Sequence, residues 1–109
     1  MEDRVEISLL MDLYGPLVTE KQYGIMDLYY NEDLSLAEIA ELNQTSRQAI
    51  HDLIKRCYKQ FLTYESKLML LKKSLEREKK ITTFLDELNN KYLISEDDYN
   101  NYKEVLEEL

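Results

Sequence analysis

Apolar residues recur at helical spacing along most of the chain, and the intervals between them predict a succession of helices. The stretch "VEISLLMDLY" predicts a first helix that ends at Gly15-Pro16, because glycine and proline both disfavour a helix interior. We expect one side of this helix to face a core. That side is predicted to hold Val5, Leu9, Leu10 and Leu13.

A capping motif of two polar residues predicts where a second and a third helix begin. Thr19 and Gln22, and again Ser35 and Glu38, stand three residues apart, which is the spacing of a capping box at a helix N-terminus. The third helix is predicted to run from Leu36 to Leu42. The inward side of the second is predicted to carry Tyr23, Met26, Leu28 and Tyr29.

A longer helix is predicted from Ser46 to about Lys80, because this stretch contains neither glycine nor proline. At 1.5 Å per residue it would reach about 50 Å. Its apolar residues alternate steps of four and three, a heptad-like seam formed by Ile50, Ile54, Cys57, Phe61, Tyr64, Leu68, Leu71 and Leu75. A second apolar line holds Tyr58, Leu62 and Met69. A helix that is apolar on two sides needs two partners, which favours a homodimer or packing by C-terminal helices.

The C-terminal part predicts two further helices. One runs from Ile81 to Tyr92 with Phe84, Leu85 and Leu88 inward, and Ser95 caps a last helix that reaches Leu109. All the predicted elements are helices, and two Gly and one Pro in 109 residues leave few breaks. The chain is therefore predicted to be all-α.

Charge is strongly segregated along the chain. The formal net charge is −8, yet residues 47–80 hold ten basic and four acidic side chains, a local net of +6. Residues 1–46 and 81–109 carry the acidic excess. Because charges beyond about 8 Å are strongly screened at physiological salt, the basic stretch can attract a polyanion despite the acidic total.

Several classes of protein are disfavoured by what the sequence lacks. His51 and Cys57 are the only residues of their types, so we expect no histidine-based metal site, no disulfide, no cofactor and no enzyme activity. Cys57 lies on the apolar seam and is predicted to be a core residue. The acidic start "MEDRVEISLL" is unlike a signal peptide, and no apolar run approaches the roughly 20 residues of a membrane span. A cytoplasmic protein without membrane insertion is expected.

The stretch "SLAEIAELNQTSRQAIHDLIKR" has the layout of a helix-turn-helix. Ala40 supplies the small residue where the two helices cross, and Ile39 and Ile50 supply apolar residues on either side of the turn. Thr45 or Ser46 would cap the second helix. The alternative interpretation is a plain helical hairpin with a solvated charged face.

The outer side of the second helix carries the candidate nucleic-acid-binding residues. Arginine and glutamine can each bond two atoms of a base edge, lysine and a helix N-terminus attract phosphate, and the helix offers all of these. The predicted set is Ser46, Arg47, Gln48, His51, Lys55 and Lys59. The basic residues further along the chain either extend this track or form a solvated face; they are Lys72, Lys73, Arg77, Lys79 and Lys80.

Three stretches, "LYGPLVTEKQ", "LYYNEDLSLAEIAE" and "TSRQAIHDLIKR", resemble the YlxM family of small bacterial helix-turn-helix proteins over about residues 10–68. The first half is also similar to the fourth region of bacterial sigma factors. Two positions depart from the family pattern: Asn43 replaces an apolar turn residue, and Leu53 replaces a polar one. The resemblance implies a sigma-region-4-like helix-turn-helix domain over residues 1–70 that runs into the long helix. Residues 71–109 would be a C-terminal extension packed on the arm or in a dimer interface.

The family resemblance also implies a function, because such proteins are typically encoded beside the signal recognition particle GTPase. It implies a nucleic-acid-binding regulator that contacts DNA or RNA, signal recognition particle RNA among them. The alternative is an accessory module that binds the targeting GTPase or its receptor without reading a nucleic-acid sequence. The clustered basic face favours the first function and the acidic C-terminal part favours the second.

Overall fold

The computed structural model describes residues 3–109, and within that range the chain is helical and has no strand. The predicted all-α, helix-turn-helix fold class is confirmed. The helices are α1 (Arg4–Tyr14), α2 (Glu20–Tyr30), α3 (Leu36–Leu42), α4 (Arg47–Leu68), α5 (Leu70–Tyr92) and α6 (Glu96–Glu107), with a 3-10 turn at Gly15–Leu17. The chain forms two compact units, one ending at Leu71 and the other spanning Lys72–Leu109.

The helix starts are fixed by the side chains that the sequence indicated. Thr19 Oγ1 accepts from Gln22 N at 3.1 Å while Gln22 Oε1 accepts from Thr19 N at 3.0 Å. Ser35 and Glu38 repeat this reciprocal pair at 3.1 Å in both directions. Both capping boxes are confirmed, and each satisfies N–H groups that a helix N-terminus leaves without partners.

The core of the first unit lies where α1, α2 and α3 pack on α4. Its buried side chains include Ile7, Leu10, Met11 and Tyr14 from α1, Ile25, Met26 and Tyr30 from α2, Ile39 and Ala40 from α3, and Ile50, Ile54, Cys57 and Phe61 from α4. The predicted face of α1 was wrong in part, because Val5 and Leu9 are exposed and the buried stripe is rotated toward Ile7 and Met11. In α2, Ile25 is buried whereas Tyr23 is only partly buried.

The long helix predicted from Ser46 to Lys80 is interrupted. Met69 adopts a left-handed conformation with φ 54°, which ends α4 and starts α5. The predicted separate helix from Ile81 to Tyr92 is instead the second half of α5. The apolar seam fails at the same place, because Leu68 and Leu75 are exposed.

A hydrogen-bond network holds this interruption in place. The Tyr14 hydroxyl donates to Glu65 Oε1 at 2.6 Å and accepts from Leu70 N at 3.1 Å. Glu65 Oε1 also accepts from Leu71 N at 2.9 Å. The first two N–H groups of α5 are thus bonded by side chains of α1 and α4, so the start of α5 is stabilised by residues distant in sequence.

The second unit is less well buried than the first. In α5 only Leu85 of the residues beyond Lys72 is buried, and α6 buries none. Tyr99 donates to Asp86 Oδ1 at 2.7 Å and joins the two helices. That hydrogen bond raises the pKa of the Tyr99 phenol. Ser95 caps α6 as predicted by accepting from Asp98 N at 3.1 Å.

Candidate nucleic-acid interface

Helices α3 and α4 cross through the residues that the motif indicated. Ala40 is 4% exposed, and Ile39 and Ile50 are 0% and 1% exposed. A methyl side chain at the crossing lets the two backbones approach, and the flanking isoleucines fill the space beneath the turn. The helix-turn-helix geometry therefore rests on buried apolar contacts.

The turn itself follows a Schellman pattern, which closes the C-terminus of α3. Thr45 N donates to Ala40 O at 3.0 Å, and Gln44 N donates to Glu41 O at 3.2 Å. Gln44 takes the left-handed conformation with φ 52°. The side-chain amide of Asn43 donates to Ile39 O at 2.8 Å. This polar departure from the family pattern therefore gives a carbonyl in the last turn of α3 a hydrogen-bond donor.

Ser46 is the cap of α4, since its hydroxyl accepts from Ala49 N at 3.1 Å. From there the exposed side of α4 begins. All the residues predicted to contact nucleic acid have exposed side chains: Ser46, Arg47, Gln48, His51, Lys55 and Lys59. Arg47, His51, Lys55 and Lys59 follow one another at intervals of four, which keeps them on one face of the helix. The opposite face is held in the core by Ile50, Ile54 and Cys57.

Asp52 places one carboxylate within this cationic face. Gln48 Nε2 donates to Asp52 Oδ1 at 2.9 Å, and His51 Nδ1 lies 3.7 Å from the same oxygen. The carboxylate therefore orients Gln48 along the helix. To bond a base edge with both of its groups, the Gln48 amide would have to leave Asp52.

Leu53, the second departure from the family pattern, lies at the edge of the exposed side of α4, where it lines a surface depression with Arg56 and Lys59. It is partly buried and packs against the hydrophobic core. Its apolar character is therefore explained by packing against the core.

Arg56 is a further exposed basic residue that the predicted set omits. With Asp52, Lys55 and Lys59 it lines a shallow depression on the outer side of α4. Its position one residue after Lys55 in "HDLIKR" is the sequence signal that could have included it. The basic surface is thus wider than the predicted residues alone.

A small aromatic pocket adjoins the same face, and the sequence analysis did not anticipate it. Its volume is about 210 Å³, and it is lined by Tyr29, Tyr30, Leu36, His51, Ile54, Lys55 and Tyr58. Tyr29 and Tyr30 meet edge to face with centroids 4.9 Å apart. The Arg4 guanidinium lies 5.9 Å from both ring centroids, donates to Tyr30 O at 3.1 Å and pairs with Asp33.

The structure also tests the sequence for a reactive thiol, a metal site and a membrane span. Burial raises the pKa of the Cys57 thiol to about 11, which disfavours the thiolate and agrees with the predicted core role. Across residues 3–109, no cluster of three or more His, Cys, Asp or Glu side chains is placed to hold a metal ion. No helix in that range has the length and apolarity to cross a membrane.

Comparison with known proteins agrees with the helix-turn-helix interpretation of α3 and α4. Residues 1–105 match the sequence profile of the family UPF0122, described as "Putative helix-turn-helix protein, YlxM / p13 like". A "UPF0122 protein" of Clostridium botulinum (strain Alaska E43 / Type E3) is 69% identical over 109 residues, with all of both chains covered. Another from Clostridium perfringens (strain SM101 / Type A) is 56% identical over all of this chain and 97% of its own. One from Clostridium kluyveri (strain NBRC 12016) is 56% identical over 81% of this chain and 82% of its own.

Proposed function

The chain belongs to the UPF0122 family of YlxM/p13-like helix-turn-helix proteins, and we propose that it is a nucleic-acid-binding regulator of the signal recognition particle targeting pathway. The single observation that carries the nucleic-acid part is the exposed basic face of α4, which is rigidly supported by the core on the other side of the helix. The link to the targeting pathway comes from the resemblance to the YlxM family.

Each residue of the face has a role in this proposal. Ser46 orients the N-terminus of α4 toward a phosphate, and Lys55 and Lys59 neutralise phosphates along the backbone. Arg47 and Gln48 face the base edges, Arg47 with a preference for guanine. His51 lies between them and the lysines and adds a polar contact.

The test is fluorescence anisotropy of the purified protein with labelled duplex DNA and with signal recognition particle RNA across a salt series. If about four phosphates are contacted, the logarithm of DNA affinity should fall with the logarithm of salt at a slope near −3.6. Replacing Arg47 and Lys55 together by Ala should weaken binding, and the loss of the Lys55 phosphate contact should flatten the slope by roughly 0.9.

The matched control replaces two exposed lysines of the same unit that are outside the predicted set, Lys21→Ala with Lys67→Ala, of which Lys67 lies about two turns beyond Lys59. This control removes the same net charge, so it separates loss of the face from loss of total charge. Equal effects of the two double variants would contradict the assignment of the face. Absence of binding to either nucleic acid even at low salt would contradict the function.

A homodimer is part of this proposal. The second unit supports it, because Phe84, Tyr102 and Val105 are 53%, 47% and 60% exposed, and exposed apolar side chains favour association. In a dimer that reads duplex DNA, the two copies of α4 should lie about 34 Å apart or a multiple of it. Sedimentation equilibrium of the wild type and of Phe84→Ser with Val105→Ser would test the interface.

The same exposed surface favours the second candidate function, an accessory module that binds the targeting GTPase or its receptor. Acidic residues Glu96, Asp97 and Asp98 form the first turn of α6 in the same unit. Calorimetry with the purified GTPase distinguishes the candidates. Binding that survives loss of Arg47 and Lys55 but fails in the Phe84→Ser, Val105→Ser variant would favour the accessory role.

A further inference from the structure

We propose that the aromatic pocket beside α4 accepts a single unpaired nucleobase, so that the preferred ligand is a strand with a bulged or looped-out base. The aromatic pocket is the cavity lined by Tyr29, Tyr30, Leu36, His51, Ile54, Lys55 and Tyr58. This inference rests on the proposed function and specifies the class of nucleic acid that the basic face binds.

The size of the pocket limits its occupant. At about 210 Å³ it is smaller than the roughly 300–1,000 Å³ of sites that hold drug-sized molecules. A single planar ring system is of the right scale for such a space. A helix or an extended peptide is too large to enter it.

The chemistry of the lining fits a base. Tyr29, Tyr30 and Tyr58 contribute aromatic rings, and Leu36 and Ile54 contribute aliphatic surface. Unpaired bases are typically held by stacking on aromatic side chains and by polar contacts to their edges. The Tyr29 hydroxyl and the His51 imidazole offer donors and acceptors for such contacts.

Continuity with the basic face places the pocket where a nucleic-acid strand would pass. His51 and Lys55 belong to both the exposed face of α4 and the pocket. A strand whose phosphates contact Lys55 and Lys59 would therefore have a base within reach of the pocket.

The charge of the lining is also complementary to nucleic acid. Among the described residues that form the pocket there is no carboxylate, and Lys55 is a cation at its edge. The Arg4 guanidinium lies 5.9 Å from the Tyr29 ring, on which it can exert a cation–π attraction. The lack of a carboxylate disfavours a basic peptide side chain, and the aromatic rings of the lining favour a planar ring over a carboxylate.

The experiment compares three labelled RNA hairpins by anisotropy: a fully paired stem, the same stem with one bulged adenine, and the same stem with an abasic bulge. The wild type should bind the adenine bulge about tenfold more tightly than the paired stem, since stacking of a base on an aromatic side chain is worth a factor of this order. The abasic bulge should lose this preference, which separates recognition of the base from recognition of a bent backbone.

Two variants and one spectroscopic measurement complete the test. Tyr58→Leu should bring the ratio of the two dissociation constants close to one, whereas Tyr64→Leu, at a partly buried tyrosine of α4 outside the pocket, should retain the preference. If Tyr58→Leu does not fold, the pocket can be tested with the wild type alone, by placing the fluorescent base analogue 2-aminopurine in the bulge. Its fluorescence should fall when it stacks on the protein.

The outcomes separate this inference from the function on which it rests. Equal affinity for all three hairpins, with 2-aminopurine fluorescence unchanged on binding, would overturn the base pocket and leave the basic face standing. Failure to bind any hairpin or duplex DNA at low salt would overturn the proposed function itself. Binding of the abasic bulge as tight as that of the adenine bulge, and tighter than that of the paired stem, would also overturn the pocket.

Discussion

The hydroxyl of Tyr14 and the carboxylate of Glu65 form a 2.6 Å hydrogen bond across 51 positions of the chain. Tyr14 is fully buried, and burial together with this hydrogen bond raises the pKa of its phenol. The pair joins the end of α1 to the last turn of α4 and provides the acceptors for the first N–H groups of α5. The pair thereby stabilises the chain on the C-terminal side of the break at Met69.

Removing this pair should destabilise the protein. We expect Glu65→Ala to lower the free energy of unfolding by about 1.5–3 kcal/mol, because it leaves the buried Tyr14 hydroxyl and the Leu71 N–H without their acceptor. Glu65→Gln, which retains a side-chain oxygen, should cost less. Urea unfolding followed by circular dichroism measures both, and Tyr14→Phe combined with Glu65→Ala should cost less than the sum of the single changes. Strict additivity would show that the two groups act independently.

The two glycines of the chain should respond oppositely to alanine. A Cβ at Gly15 would lie 2.6 Å from the Tyr23 ring, whereas a Cβ at Gly24 would meet nothing within 4 Å. We expect Gly15→Ala to cost about 1–3 kcal/mol of stability through overpacking. Gly24→Ala, within α2, should add about 0.5–1 kcal/mol. Thermal unfolding of the two variants under one buffer condition checks the pair, and a shift in the same direction for both would contradict the close approach at Gly15.

Cys57 should give the stability of the protein a dependence on alkaline pH. Burial raises its thiol pKa from about 9 to about 11, so between these values the folded state binds more protons than the unfolded state. The free energy of unfolding should therefore decrease as pH rises through this window. Comparing wild type with Cys57→Ala isolates the contribution of the thiol, because the lysines titrate in both proteins. Identical slopes for the two proteins, or rapid reaction of the native thiol with a disulfide reagent at neutral pH, would contradict its buried state.

Local signals in the sequence were sufficient for the helix starts. Thr19, Ser35, Ser46 and Ser95 cap α2, α3, α4 and α6, because a hydroxyl that accepts from an N–H two or three residues on depends only on nearby residues. The exposed basic face of α4 was likewise predictable, since the apolar residues of that helix assign its opposite side. The six predicted contacts on it remain predictions.

Features that depend on distant contacts were not predictable in this way. Nothing around Met69 indicates a break, because the chain there contains no glycine or proline, and the compensating acceptors come from Tyr14 and Glu65. The face of α1 was misassigned because Leu9 and Met11 are both apolar, and only packing against α2 and α4 selects between them. The aromatic pocket also depends on contacts between distant residues, because its rings come from α2 and α4 and Leu36 comes from α3.

The break at Met69 also has a consequence for the order in which the chain folds. A helix N-terminus is costly to nucleate and leaves N–H groups that need acceptors, and for α5 those acceptors are already fixed once α1 and α4 have packed. A chain synthesised from its N-terminus contains every partner for this junction as soon as Leu71 has been added. Assembly of the first unit therefore supplies the acceptors at which α5 begins.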